Sequence, residues 1–466
     1  MNRQRDPWIL LVLSALFYIP FLGGVHLFDW DEINFAEMAR EMLVRDNYLQ
    51  ISVDFEAFFQ KPPLFIWMQL LSMKLFGVGE FAARLPNAIC GIITLQILYQ
   101  MGRRLYDARF GWLWAIAYFG SILPHLYFRS GIIDPWFNLF IFLGLYYLIL
   151  FVWKRDSFKG IELSRGAISY LLLAGMMVGF GILTKGPVAF LIVGLVLFVY
   201  WIWERFRMYI TIPQFLLFTL ASSLVTLIWF GVETLQNGTD FVIEFTKYQY
   251  KLFSTPDAGH QGFPGYHFVV LLLGCFPASV FALRAFAKLP EAAHPFQANF
   301  TRWMKILFWV VLILFTIVQS KIVHYSSLCY FPISFLAALV LHHWLKEDLR
   351  FTGWMAALMI AVTGIFIAAS LALPVLGNNI EWLQERTGDA FARANMNAET
   401  VWTHWHFIPG VALLLTLLLF FYFRKMGRRP QAINTIFIGT ACYLWLGLAF
   451  FINNIEHYTQ RAAVDF

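Results

Sequence analysis

Apolar stretches of about 17–22 residues recur from one end of this chain to the other, each long enough to cross a hydrocarbon core of roughly 30 Å as a helix. Inside lipid a backbone must satisfy its own N–H and C=O groups, so a chain written this way is confined to a bundle of membrane-spanning helices. The runs fall at about 7–25, 86–102, 111–127, 134–152, 168–184, 187–203, 213–231, 266–283, 306–319, 326–344, 352–374, 406–423 and 433–451, which makes thirteen spans. Only 13% of the 466 residues are charged, about half the fraction of a soluble domain. The expectation is an all-α polytopic membrane protein. MNRQRDPW at the start has the form of a signal-peptide n-region, but no small-residue cleavage site follows the first apolar run, so that run is read as retained.

Charge gives the orientation. With the N-terminus cytoplasmic, the even-numbered connections carry GRRLYDAR (102–109), WKRDSFKGIELSR (153–165), ERFRM (204–208), RAFAKLPEAAHPFQANFTRWMK (284–305), KEDLR (346–350) and RKMGRRP (424–430). Together with the N-terminus these hold 21 of the 34 Lys and Arg but only 8 of the 28 Asp and Glu, the bias expected of cytoplasmic connections. The net charge of +6 is thus a topology signal; no basic face or tail suggests nucleic acid. Four cysteines lie in or beside separate spans (Cys90, Cys275, Cys329, Cys442), which gives neither a disulfide framework nor a paired metal motif.

The polar chemistry is left to the other side, where three segments exceed what a turn needs: 26–85, 232–265 and 375–405. We treat 1–451 as one transmembrane unit and 452–466 as a short external tail, with no soluble C-terminal domain expected. The richest stretch is HLFDWDEINFAEMAREML (26–43), with Asp29, Asp31, Glu32 and Glu37 just after the first span. Asp29 with Glu32 three residues on has the form of a capping box. Helical spacing then continues through Ala36, Ala39 and Leu43, with Glu37–Arg40 and Glu41–Arg45 as side-chain pairs. A short helix along the membrane surface fits, with Asp31 held ionised in its first turn by the helix dipole. That suits a base or a cation ligand.

Next, Lys61 precedes Pro62-Pro63, a good helix start, and the apolar run 64–76 is short for a span, so an interfacial amphipathic helix ending at Gly77 is expected. Arg84 stands just before the second span. FRSGIIDPWFN (128–138) brings Arg129 and Asp134 to an external turn, and ILTKGPVAF (182–190) brings Lys185 to another without forming a P-loop. VQSKIVHYSSLCYFPIS (318–334) supplies Lys321, His324 and Tyr325; TKYQYKLFSTPDAGHQGFPGYHF (246–268) adds Lys247, Lys251, Asp257, His260 and His267. Any one of these cations reads equally as an interfacial anchor. Their joint placement opposite an acidic first loop is what marks a site.

DEINFAEMAREML, QKPPLFIWM, GVGEFAARLPNA, ILTKGPVA and KIVHYSSLCYFP, in this order, resemble the motifs of bacterial GT-C-fold membrane glycosyltransferases, a group that includes lipid A aminoarabinose transferases and relatives of protein O-mannosyltransferases. The resemblance covers roughly residues 1–345. It implies inverting transfer of a sugar from a polyprenyl (undecaprenyl) phosphate to an acceptor hydroxyl on a lipid or glycan, at the periplasmic face of the inner membrane. Carried over motif by motif, it implies Asp31 and Glu32 as the catalytic acidic pair, with Asp31 the base. Lys61, Lys321 and Tyr325 are likewise carried over as donor-phosphate ligands and Arg129 with Asp134 as a pair; joint placement on the same side adds Arg84 to the phosphate ligands and Lys185, His260 and His324 to Arg129 and Asp134 as supporting residues. This sequence departs from the aminoarabinose transferases at Gln60, where they carry a glutamate implied as a metal ligand, and at Asn34, where they carry arginine. A divalent metal ion and the identity of the sugar therefore stay open.

The chemistry agrees with that inventory. A lipid phosphate already leaves easily, so such a transfer calls for cations around the phosphate and one carboxylate at the acceptor hydroxyl. Two alternatives stand beside it: a protein O-mannosyltransferase-like enzyme, and a transporter or flippase for lipid-linked sugars, which would carry ionisable groups deep in its spans and internal symmetry.

Overall fold

In the computed structural model residues 5–28, 30–254 and 262–461 are described, and nearly all their regular structure is helical. Helix α1 (Asp6–Tyr18) is followed by α2 (Asp31–Arg45), a two-residue-turn hairpin pairing Ser52–Val53 with Glu56–Ala57, and α3 (Leu64–Phe76). α4 (Glu80–Leu105) and α5 (Ala108–Phe119) then cross so closely that a Cβ on Gly102 would lie 2.7 Å from the Gly111 Cα. The short α6 (Ile122–Tyr127) leads to α7 (Asp134–Arg155), α8 (Ala167–Lys185), α9 (Val188–Trp203), α10 (Ile212–Asn237) and α11 (Asp240–Ser254). α12 (Tyr266–Gly274), α13 (Ala278–Arg284), α14 (Pro295–Ile317), α15 (Tyr330–Leu345) and α16 (Gly353–Gly377) continue the bundle. Two short helices, α17 (Ile380–Arg386) and α18 (Ala390–Asn395), precede α19 (Ile408–Lys425), α20 (Arg429–Phe450) and α21 (Ile452–Glu456).

All thirteen expected spans carry helix, though fewer than thirteen reach full spanning length as unbroken helices. Among the described residues nine helices are long and apolar enough to span: α4, α7, α8, α10, α14, α15 with its preceding turn, α16, α19 and α20. α12 and α13 make at most a tenth, bent by 114°. The run 111–127 also breaks, into α5 and α6. Its break and the one at Cys275–Pro277, where proline removes a donor, lie against each other and satisfy one another: Ile122 N–H donates to Phe276 O at 3.1 Å, and Ser121 Oγ to Cys275 O at 3.2 Å. α1 and α9 are helical for only 13 and 16 residues.

The basic connections share one end. Arg104 donates to Glu162 O, Arg155 to Met208 O at 3.3 Å, Gln297 to Leu105 O at 2.8 Å and Arg429 to Trp344 O at 2.8 Å, while Arg302 pairs with Glu204. α2, α3 and the hairpin pack at the opposite end around Phe35, Met38, Phe65, Ile66 and Trp229. Of the expected surface-helix pairs, Glu37–Arg40 forms, at 2.8 Å through Nε, and the hydrogen bond from Arg40 holds the Glu37 carboxyl below its ordinary range. Glu41–Arg45 does not form. Glu41 instead accepts from Phe55 N–H at 3.0 Å and Arg45 donates to Phe55 O at 3.2 Å, so both fix the hairpin turn, whose Asp54 and Phe55 sit at positive φ. α3 ends at Gly77 (φ 86°), as expected. Asp29, the expected cap of α2, lies outside the described residues; Glu32 accepts from Phe28 N–H at 2.9 Å.

Candidate active site

A cavity of about 810 Å³ opens at the end away from the basic connections, and the ends of many elements meet on its wall. Asp31 stands in the first turn of α2, Lys61 before Pro62-Pro63, Asp134 in the first turn of α7 and Lys185 in the last turn of α8; His324 and Tyr325 come from the tight turn before α15. Helix starts favour the two carboxylates and the helix end favours the lysine. The rest of the lining is mostly apolar, with Phe21, Leu22, Leu191, Ile192 and Leu448 among its residues, but it also includes Glu32, Arg84, Arg129, Ser130 and Asn138.

The polar wall has two parts. Lys185 Nζ lies 2.6 Å from Asp134 Oδ1, a pair in which the carboxylate is only 2% exposed, and the ammonium also stands 5.5 Å from the Tyr325 ring. Asp134 Oδ2 is buried with no hydrogen-bond partner among the described residues. Beside this pair, His324 Nε2 is 3.5 Å from Asp31 Oδ2, with side-chain exposures of 20% and 29%. Lys61 Nζ lies 6.0 Å from the Tyr248 ring on the same wall.

Glu32 and Arg84 have other work. Arg84 uses its whole guanidinium: it donates to Glu32 at 3.2 and 2.8 Å, to the carbonyls of Leu22 and Val25 at 2.8 and 2.9 Å, and to His26 O at 2.9 Å. Glu32 adds the Phe28 and Gly131 N–H groups, and both side chains are buried. The pair ties α2 to α4 and to the 128–133 turn, which fixes the Asp31 backbone next door. Both residues also line the cavity, but these bonds occupy every Arg84 N–H group and both Glu32 oxygens, an arrangement that suits a positioning ion pair better than the reacting carboxylate and phosphate donor expected from the sequence.

Two more expectations change. Lys321 is not on the cavity wall; its ammonium donates to the carbonyls of Phe315, Thr316 and Val318 at 3.2, 2.7 and 2.5 Å, capping the C-terminal end of α14. Arg129 reaches back to Phe17 O and to Pro20 O at 2.6 Å, so it anchors the end of α1 and makes no pair with Asp134. Burial and the neighbouring Arg84 charge bring Arg129 down to about 10, which still leaves it charged at neutral pH. His260, like Asp257, lies outside the described residues. His267 is buried against Ser326 at 3.1 Å, and Lys247 pairs with Glu244 at 2.7 Å on the surface.

The sequence reading missed the chain's far end. Leu448, Ala449, Ile452 and Asn453 line the cavity, and the segment behind them docks on the first external loop through His26 Nδ1–Glu456 Oε1 at 2.9 Å and Gln460 to Leu27 O at 2.8 Å. The only signal was a polar run, NNIEHYTQ, directly after the last apolar stretch. Among the described residues no group of three or more His, Cys, Asp or Glu could hold a metal ion.

Residues 60–229 match the family model described as dolichyl-phosphate-mannose-protein mannosyltransferase. The undecaprenyl phosphate-alpha-4-amino-4-deoxy-L-arabinose arabinosyl transferase of Pseudomonas aeruginosa (strain UCBPP-PA14) is 26% identical over 353 residues, which cover 75% of this chain and 61% of that protein. Its namesake in Erwinia tasmaniensis is 26% identical over 388 residues, 81% of this chain and 66% of the relative. The chain thus spans about three fifths of the length of the curated relatives it matches. Among solved structures, the crystal structure of ArnT from Cupriavidus metallidurans bound to undecaprenyl phosphate aligns with a TM-score of 0.76 at 19% identity, covering 99% of this chain and 79% of that one. The chain therefore has the GT-C membrane fold, and its sequence resembles the aminoarabinose transferases.

Proposed function

We propose that this protein is an inverting glycosyltransferase that moves a sugar from a polyprenyl phosphate to an acceptor hydroxyl of a lipid or glycan, at the membrane face opposite its basic connections. For a bacterial inner-membrane protein that face is periplasmic. The observation that carries the reading is the meeting of Asp31, Lys61 and the Asp134–Lys185 pair in one cavity whose lining is otherwise mostly apolar. The relatives' names, which specify an undecaprenyl-phosphate sugar, support the donor class.

In this reading the prenyl tail takes the apolar wall and the phosphate lies toward Lys61 and Lys185, whose charges stabilise the departing oxygens. Asp31 accepts the proton of the acceptor hydroxyl as that oxygen attacks the anomeric carbon. With Glu32 held by Arg84 and Asp134 paired with Lys185, Asp31 is the carboxylate left to act as base, which suits a single displacement and hence inversion.

The test is to incubate the purified protein with radiolabelled polyprenyl-phosphate sugars and membrane lipids, 4-amino-4-deoxy-L-arabinose first among the sugars. Label on lipid is expected; no transfer from any donor would overturn the reading. The match of residues 60–229 to a protein mannosyltransferase family favours a second acceptor class, and label on protein alone would select it. Paired EDTA-treated and metal-supplemented samples read any dependence on a divalent ion.

A further inference from the structure

A base that takes a proton at each turnover must also lose it, inside a site that the reaction keeps partly closed. Asp31 has one titratable neighbour placed for this, His324, with Nε2 3.5 Å from Asp31 Oδ2. That separation is long for a hydrogen bond in the unliganded site, and such contacts commonly tighten when substrate binds. The groups facing His324 are Asp31 from α2, Asp134 from α7, Lys185 from α8, Lys61 from the loop before α3, and its neighbour Tyr325 at 5.8 Å. An imidazolium here would stand between two carboxylates, one of them Asp134 with an oxygen that has no hydrogen-bond partner among the described residues. The imidazole is also on the cavity wall and 20% exposed, so a proton placed on it can reach water.

Resting on the glycosyltransferase reading above, we propose that His324 is the second station of the acceptor's proton: Asp31 removes it from the hydroxyl and His324 Nε2 takes it over. The acceptor oxygen forms its bond to the anomeric carbon as the carbon–oxygen bond to phosphate breaks, its electron pair leaving with the polyprenyl phosphate. The hydroxyl proton passes to an Asp31 oxygen and then to Nε2, which restores the Asp31 carboxylate. The imidazolium returns the proton to water. Burial pushes the His324 imidazolium toward giving up its proton, while the Asp134 and Asp31 carboxylates on either side oppose this, so Nε2 holds the proton in passing and releases it to water. His324 is a positioning and relay residue, because it acts on substrate only through Asp31.

The experiment measures kcat and donor KM against pH for the full chain, using whichever donor the wild type transfers. The wild type should show an acidic limb displaced below the ordinary histidine range, because burial disfavours the imidazolium. His324→Gln should lower kcat roughly 10–100-fold, leave donor KM within about twofold, and move that limb down by about one pH unit or more. Added imidazole should restore part of the kcat of His324→Ala and none of that of Asp31→Asn. A wild type with no acidic limb overturns the relay whether or not the variants fold. So does a His324→Gln chain with wild-type kcat and pH profile, or a loss confined to KM. These results would leave the transferase reading standing if wild type is active and Asp31→Asn is not. An inactive wild type overturns that reading, and the relay with it.

Discussion

Two adjacent carboxylates in this chain meet opposite fates. Asp31 faces the cavity beside His324, while Glu32 is buried under four hydrogen bonds from Arg84, Phe28 and Gly131. The sequence offered both as an acidic pair and could not separate them, because the partners that claim Glu32 lie 52 and 99 residues away. Lys61 and Lys321 divide the same way: one lines the cavity, the other caps a helix whose carbonyls take its protons. The consequences differ in kind. Asp31→Asn should reduce transfer by roughly 10²–10⁴-fold while donor binding persists, measured with labelled donor in a binding assay run beside turnover. Lys61→Ala should instead raise the donor Kd roughly 10–100-fold, the loss expected when a charge-assisted contact to phosphate goes. Arg84→Ala strands a buried carboxylate and should cost about 3–5 kcal/mol of stability, visible as a lower Tm before any substrate is added. An Arg84→Ala chain as stable as wild type, impaired only in donor binding, would return Arg84 to the phosphate.

At the scale of elements, the site depends on where helices end, and one seam sets the end of α8. Gly175 and Gly179 lie one turn apart on α8 and let α10 approach: added Cβ atoms would lie 2.5 Å from Phe218 O and 2.7 Å from Ser222 O. Lys185, one and a half turns farther on, reaches Asp134 because that seam fixes the helix. Gly179→Leu should therefore lower thermal stability, with overpacking costing about 1–3 kcal/mol, and weaken donor binding through the displaced lysine. Gly194→Leu on α9, where a Cβ meets nothing within 4 Å, is the control and should stay within about 0.5 kcal/mol of wild type. Equal effects of the two would show that the seam does not set the site. Helix identity was legible from apolar run length, down to α3 and its stop at Gly77. Helix breaks were not, because the Ile122 N–H freed after Gly120–Ser121 is satisfied by Phe276 O and the Ser121 hydroxyl reaches Cys275 O, a partnership invisible to any local window.

For the whole molecule, what the charge alternation encodes is sidedness, and the structure gathers the six basic connections at one end and the cavity at the other. The loop after α1, the 3₁₀ turn before α15 and the segment after α20 converge on the cavity from distant parts of the chain. His26 and Glu456, 430 residues apart, join the first of these to the last. Periodicity carries no record of such a closure, so composition could place the first loop at the site but not the tail beside it. Sidedness itself is open to a direct measurement. Cysteines placed singly at Glu56, in the exposed hairpin, and at Glu347, exposed beside Arg429, report on the two ends. Three native cysteines are buried and the fourth is half-buried, so a Cys442→Ser background keeps the signal clean. If basic connections face the cytoplasm, a membrane-impermeant maleimide should label the Glu56 position in intact spheroplasts and reach the Glu347 position only after permeabilisation. The reverse pattern would put the cavity on the cytoplasmic side and end the periplasmic assignment. Equal labelling of both before permeabilisation would contradict the separation of the two ends, which is the feature the fold and the proposed chemistry share.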